Sequence, residues 1–141
     1  MEPWAQDLIR ESRVAILGTI DAQGRPHLVP VCFAEVDGQY VIAVDEKPKR
    51  PGTLARVRNI NRDPRCTLLF QRYDDDWTRL AWVRIEGQSS IVTRGADAPE
   101  ALASLRDRYP QYQLMDLEPR ELIVVTPART VSWRWAGMSG P

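Results

Sequence analysis

Residues 14–44 read VAILGTIDAQGRPHLVPVCFAEVDGQYVIAV, and this stretch decides the fold. Val14 to Ile20 is apolar on both faces, as a central strand requires. Asp21-Ala22-Gln23-Gly24 supplies a turn, and a second strand is expected from Arg25 to Val36. Pro26 and Pro30 lack N–H donors, which places that strand at a sheet edge or beside a bulge. Asp37-Gly38 is a hairpin turn, since both residues tolerate positive φ, and a third strand returns over Tyr40 to Val44. Strands linked this tightly pair antiparallel.

Outward from this core, a helix is expected over Pro3 to Ser12, with Pro3 in its first turn and Trp4, Leu8 and Ile9 on one face. Thr53 is the expected N-cap of a second helix, lined by Leu54, Val57 and Ile60 and stopped at Asp63-Pro64. Cys66 to Tyr73 and Trp77 to Val92 read as strands around the turn Asp74-Asp75-Asp76. Ala81, Val83 and Ile85 alternate with Trp82, Arg84 and Glu86, and Gly87 marks a bulge. Asp97-Ala98-Pro99-Glu100 has the form of a capping box, opening a helix to about Arg108 with Leu102, Leu105 and Tyr109 inward. Glu121 to Thr126 and Thr130 to Trp135 close the chain as strands interrupted by Pro127. No regular alternation of strand and helix occurs, so a doubly wound parallel sheet is excluded. The expected fold is mainly β (α+β): an antiparallel barrel with helices over its openings, in one domain spanning 1–141.

The 141 residues carry 19 basic and 19 acidic side chains, a balance that argues against general binding to nucleic acid or to a membrane surface. The longest apolar run, Val14-Ala15-Ile16-Leu17, is too short to span a bilayer, and the N-terminus lacks the pattern of a signal peptide. Cys32 and Cys66 read as reduced, buried thiols, and the expected location is cytoplasmic. His27 is the only histidine, so a multi-histidine metal site is excluded and no metal is expected. Its bland reading is a strand residue near the barrel mouth; the other is a residue facing a ligand. The acidic triplet reads as a solvated turn. Nucleotide-binding glycine motifs and a nucleophile elbow are absent from the sequence. Five tryptophans, Trp4, Trp77, Trp82, Trp133 and Trp135, favour an interface, a planar ligand, or both.

One segment stands out chemically. Lys47 to Arg65 holds seven cations (Lys47, Lys49, Arg50, Arg56, Arg58, Arg62, Arg65) and one acid, Asp63. The loop cations run into the start of a helix, where unpaired N–H groups and the dipole favour an anion. Arg58 and Arg62, spaced i,i+4, read as a solvated face. Lys49, Arg50 and Arg56 are the first choices for phosphate contacts.

The order of these motifs resembles a family. Leu17-Gly18-Thr19-Ile20-Asp21, Gly24 to Val31, the basic loop and Arg58-Asn59-Ile60-Asn61-Arg62-Asp63-Pro64-Arg65 are similar to the split β-barrel flavoproteins related to pyridoxamine 5'-phosphate oxidase. Tyr73-Asp74-Asp75-Asp76-Trp77 with Leu80-Ala81-Trp82-Val83-Arg84 resembles the branch that uses the deazaflavin coenzyme F420. The resemblance implies a homodimer with two cofactors at the subunit interface, each gripped by both chains. It maps phosphate contacts onto Lys49, Arg50 and Arg56, with Lys47 near the same tail. It lays the ring along backbone at Pro30, Val31 and Val44, with Trp77 as a ring or interface contact. The loop from Asp45 to Gly52 is longer and richer in proline than in the classical oxidases, and Trp133-Arg134-Trp135 replaces a pyridoxal-phosphate signature. The implied activity is an F420-dependent oxidoreductase, working as a reductase on a conjugated small-molecule substrate, with no catalytic side chain identified. FMN chemistry on the same fold and a non-catalytic carrier of the cofactor or a haem-like ligand are the alternatives.

Overall fold

A computed structural model describes residues 1–45 and 54–136. Helix α1 (Pro3–Glu11) leads into strands β1 (Ala15–Ile20), β2 (Pro26–Val31), β3 (Ala34–Val36) and β4 (Gln39–Ala43). Helix α2 (Ala55–Arg62), β5 (Arg65–Arg72), β6 (Ala81–Val92), α3 (Pro99–Arg108) and β7 (Leu122–Arg134) follow. The seven strands form one sheet in the order β2-β1-β5-β6-β7-β4-β3, every neighbouring pair antiparallel. Three helices flank it.

The sheet curls into a half-barrel. Phe70 on β5 and Tyr40 on β4 belong to strands separated by two others, yet their ring centroids lie 5.7 Å apart. Phe33 completes the aromatic group at 5.0 Å from Phe70. Inward residues from both ends of the sheet, Val31 and Val44 among them, share one core with α1 and α2. A second core lies between α3 and strands β3, β4 and β7, where Leu102 and Leu105 meet Val41 and Leu122.

The curl depends on a bulge. The register of β6 against β7 shifts between Glu86 and Gly87, leaving Ala128 without an opposite residue. β6 pairs with β5 on its other side from Ala81 to Gln88, and β7 pairs with β4 from Leu122 to Val125. A Cβ on Gly87 would lie 2.2 Å from the Thr126 carbonyl oxygen, so this close approach requires glycine. The Asp37-Gly38 turn forms as read, with φ of 51° and 78°. Pro26 and Pro30 do lie on an edge strand, where their missing donors cost no ladder bond.

Several expected boundaries move for identifiable reasons. The strand read over Arg25 to Val36 is two strands, because the Phe33 N–H donates to the Tyr109 hydroxyl (3.1 Å) while its ring enters the core. Pro127 does not interrupt the last strand: it stands opposite Gly87 at the bulge, where the ladder is already broken. Trp77 lies outside β6, in a short 3-10 turn (Trp77–Arg79) capped by Asp76. The capping box before α3 is not made. Asp97 belongs to a preceding 3-10 turn, and Ala98, without a side-chain acceptor, takes the N-cap position. Thr53 lies outside the described residues, and Leu54 precedes the first turn of α2. Cys66 is buried, whereas Cys32 is only half-buried; both are free thiols. Among the described residues no helix is long and apolar enough to cross a membrane.

Replacing Gly87 with Ala forces the β6–β7 backbones apart and should cost about 2 kcal/mol. Urea denaturation measures this as a lowered midpoint at an unchanged slope.

Candidate functional site

Helix α2 is short, and its apolar positions Val57 and Ile60 pack it against the barrel core. That packing fixes Arg56, one residue into the helix, with only 7% of its surface exposed. Its Nε–H is buried and finds no acceptor among the described residues. A guanidinium is always charged and always a donor, so leaving one buried and unpaired is costly. Among the described residues no side chain caps α2, and the N–H groups of its first turn add to the positive end. One turn later, Asn59 is buried and donates through Nδ2 to the Thr19 hydroxyl at 3.1 Å.

The other cations of this segment behave differently. Arg58 and Arg62 are exposed, as a solvated face requires. Arg62 reaches the Ile20 carbonyl at 3.4 Å, and Arg65 pairs with Asp63 at 2.7 Å. That pairing, led by the side-chain hydrogen bond, holds the Asp63 carboxyl below its ordinary range. Lys47, Lys49 and Arg50 lie outside the described residues.

The chain enters that segment from a fixed point. The Val44 N–H donates to the Glu121 carbonyl at 3.0 Å. The Tyr112 hydroxyl donates to the Asp45 carboxylate at 2.5 Å, and Arg120 donates to the Asp45 carbonyl. Burial, and then the Asp45 carboxylate, push the Tyr112 phenol far above its usual pKa, so it remains a donor. Tyr112 is itself held by Arg106, which donates to the Tyr112 and Met115 carbonyls and pairs with Glu118 at 2.6 Å. Sequence reasoning missed Tyr112 and Arg120, which lie 67 and 75 residues from their partner and carry no local signal.

The sheet's outer face holds a second feature. Trp82 and Trp133 stand directly opposite each other on β6 and β7. With Tyr73, Leu80, Leu69 and Arg84 they line an open cavity of about 320 Å³. The Arg84 guanidinium lies 5.4 Å from the Trp82 ring centroid and pairs with Glu86. Trp82 was legible as an outward residue of its strand; its pairing with Trp133 depends on register across the bulge and was not.

The sequence-derived site residues therefore divide. Val31 and Val44 meet in the inner core that also takes α2. Pro30 faces outward, in the cross-strand row Pro30, Ile16, Leu69, Arg84. Trp77 is 59% exposed at the β5–β6 connection, outside the aromatic cavity. The acidic triplet is a solvated turn: Asp74 accepts from Arg79 and Asp76 from Thr78. Among the described residues no group of His, Cys, Asp and Glu is placed to hold a metal.

The fold belongs to a recognised class. The model of the pyridoxamine 5'-phosphate oxidase family matches residues 1–134, and the chain belongs to that family. A conserved hypothetical protein from Mycobacterium tuberculosis superposes with a TM-score of 0.77 at 26% identity, covering 95% of this chain and 85% of that one. HutZ, the heme storage protein from Vibrio cholerae, gives 0.73 at 18% identity over 94% and 93%. A heme binding protein from Mycobacterium smegmatis gives 0.69 at 19% identity, over 92% of this chain and 56% of that one. No curated protein matches the sequence.

Two outcomes follow from the Tyr112 network. Tyr112→Phe keeps the ring and removes the bond to Asp45, and should cost about 1 kcal/mol in urea denaturation. Hydrogen bonding to Arg106 holds the Glu118 carboxyl down at about 2, from an ordinary 4.5. Because the folded value is depressed, the pair's contribution is full above pH 4.5 and is lost as pH falls toward 2. Acid titration followed by near-ultraviolet circular dichroism should show a flatter limb in that window for Glu118→Gln than for the parent chain.

Proposed function

We propose that the protein binds the deazaflavin coenzyme F420 and works as an F420-dependent reductase on a conjugated small organic substrate. The observation that carries this reading is the buried Nε–H of Arg56, unpaired among the described residues, in the first turn of α2. An anionic oxygen is the acceptor that such a donor lacks, and F420 and FMN both carry phosphate oxygens. Arg56, with Lys47, Lys49 and Arg50 from the preceding segment, is assigned to the phosphodiester and the glutamate carboxylates beyond it. FMN, with one compact phosphate, is the alternative for the same cations.

Backbone along Pro30, Val31 and Val44 is assigned to the ring edge, and Trp77 to a ring or interface contact. Arg56 and the aromatic cavity lie on opposite sides of the sheet, which supports a homodimer in which one chain's outer face closes the other's site. The outer face carries apolar side chains at Ile16, Leu28, Pro30 and Leu69, with Leu28 67% exposed. When bound, the deazaflavin supplies hydride transfer to the substrate. The chain's residues hold the tail, orient the ring and exclude water from it, and no side chain is assigned as a proton donor. The reaction is placed in the cytoplasm.

A second reading, a carrier of a haem-like planar ligand, draws on the likeness to the heme storage and heme binding proteins and on the tryptophan-lined cavity. The two are separated by titrating the chain with F420, FMN and haem in turn and following tryptophan quenching. The proposal expects micromolar or tighter binding of F420, with Arg56→Gln weakening it roughly tenfold, as loss of a charged hydrogen bond does. Tight FMN binding with no F420 binding overturns the cofactor, and stoichiometric haem binding without turnover favours the carrier. Leu28→Glu should yield a monomer by light scattering and lose cofactor affinity with it; an unchanged dimer would place the interface elsewhere.

A further inference from the structure

The second core is not fully covered. Ser90, Val124, Val41 and Ala34 form one row across β6, β7, β4 and β3, and Val92 and Val36 flank it on the same face. Helix α3 packs on this face through Ala101 and Leu102. Its start is made of small residues, with Ala98 at the N-cap position and Pro99 next. A groove of about 550 Å³ remains there between helix and sheet. Val41 is buried in its floor, while Val36, Val92 and Val124 are only partly covered. Three exposed carboxylates rim it: Asp37 on the β3–β4 turn, Asp97 in the 3-10 turn before α3, and Glu100 in the helix's first turn. Among the described residues none of the three pairs with a cation, and no cationic side chain lines the groove. Asp97 and Glu100 offset the positive end of α3, and Asp37 suits its turn. That helix end amounts to about half a unit charge against three carboxylates, so the groove stays negative. None of these local roles requires the three to meet over half-covered valines.

We propose that this groove docks a basic segment of another protein, with an aliphatic side chain on the valines and Lys or Arg on either side of it. The floor withdraws the aliphatic side chain from water, and the rim selects its neighbours by charge. Carboxylates repel phosphates, so nucleic acid and anionic membrane surfaces have the wrong sign. A purely apolar partner would strip water from the carboxylates and return no cation. The groove belongs to the second core, whereas α2 and its Arg56 stand on the first. Docking here is therefore independent of how the cofactor is held.

The test uses the full chain and a synthetic peptide, acetyl-Gly-Lys-Lys-Leu-Val-Lys-Lys-Gly-amide, followed through the protein's amide resonances. The peptide should move the amides of Val36, Val41, Val92 and Val124 saturably, and more weakly as salt rises. Asp37→Asn, Asp97→Asn and Glu100→Gln combined should weaken it roughly tenfold, the sum of three exposed ion pairs. Serine in place of the peptide's leucine and valine should also weaken it roughly tenfold, a change that leaves the protein untouched. The amide spectrum of the triple variant establishes that it is folded. Equal binding of the serine peptide reduces the interaction to charge alone and overturns the groove. Equal binding by the triple variant overturns the basic partner. Shifts that fall outside the groove, or no shifts, overturn the proposal altogether. Groove amides that move on dilution of the protein alone place a second copy of this chain there instead.

Discussion

A charged donor withdrawn from water must meet an acceptor, and among the described residues the Nε–H of Arg56 is where that requirement is left open. Its burial follows from its neighbours: Val57 and Ile60 carry α2 onto the core, and Arg56 beside them is left only 7% exposed. A protein of average stability retains such a cost where a ligand offsets it. The exposed arginines of the same helix make the contrast. Arg62 has only long bonds to a carbonyl and to Asn59, and its position on the helix is an ordinary solvated one.

The remainder of the architecture places that donor. The glycine bulge lies near the point where the long β6–β7 pair changes partners, from β5 along Ala81 to Gln88 to β4 along Leu122 to Val125, and the sheet closes far enough to bring the Phe70 and Tyr40 ring centroids to 5.7 Å. Closure creates the inner core on which α2 rests. It also turns Ile16, Leu69, Trp82 and Arg84 outward, giving the sheet an apolar outer side of its own. Tyr112 and Arg120, reaching from beyond α3, fix Asp45 at the entrance to the basic segment. Two cores and one anchored crossing therefore serve one region.

Much of this was legible locally. Positive φ at Asp37-Gly38, prolines on an edge strand and glycine at the bulge are rules of single residues, and each held. So did the apolar face of α2 at Val57 and Ile60. What escaped the sequence depends on pairs far apart in the chain. Phe33 leaves its strand because Tyr109 supplies an acceptor for its N–H, and Pro127 survives inside a strand because Gly87 stands across from it. The Trp82–Trp133 wall needs the register of two strands across a bulge. None of these follows from propensity, since each partner is specified only once the chain has folded.

The most direct measurement is a crystal structure of the protein with F420 bound. The account predicts a phosphate or carboxylate oxygen of the cofactor within hydrogen-bonding distance of Arg56 Nε, and the ring against a surface to which both chains of a dimer contribute. A structure in which Arg56 is satisfied by a main-chain carbonyl or a water, with the cofactor's anionic tail held elsewhere, would contradict it.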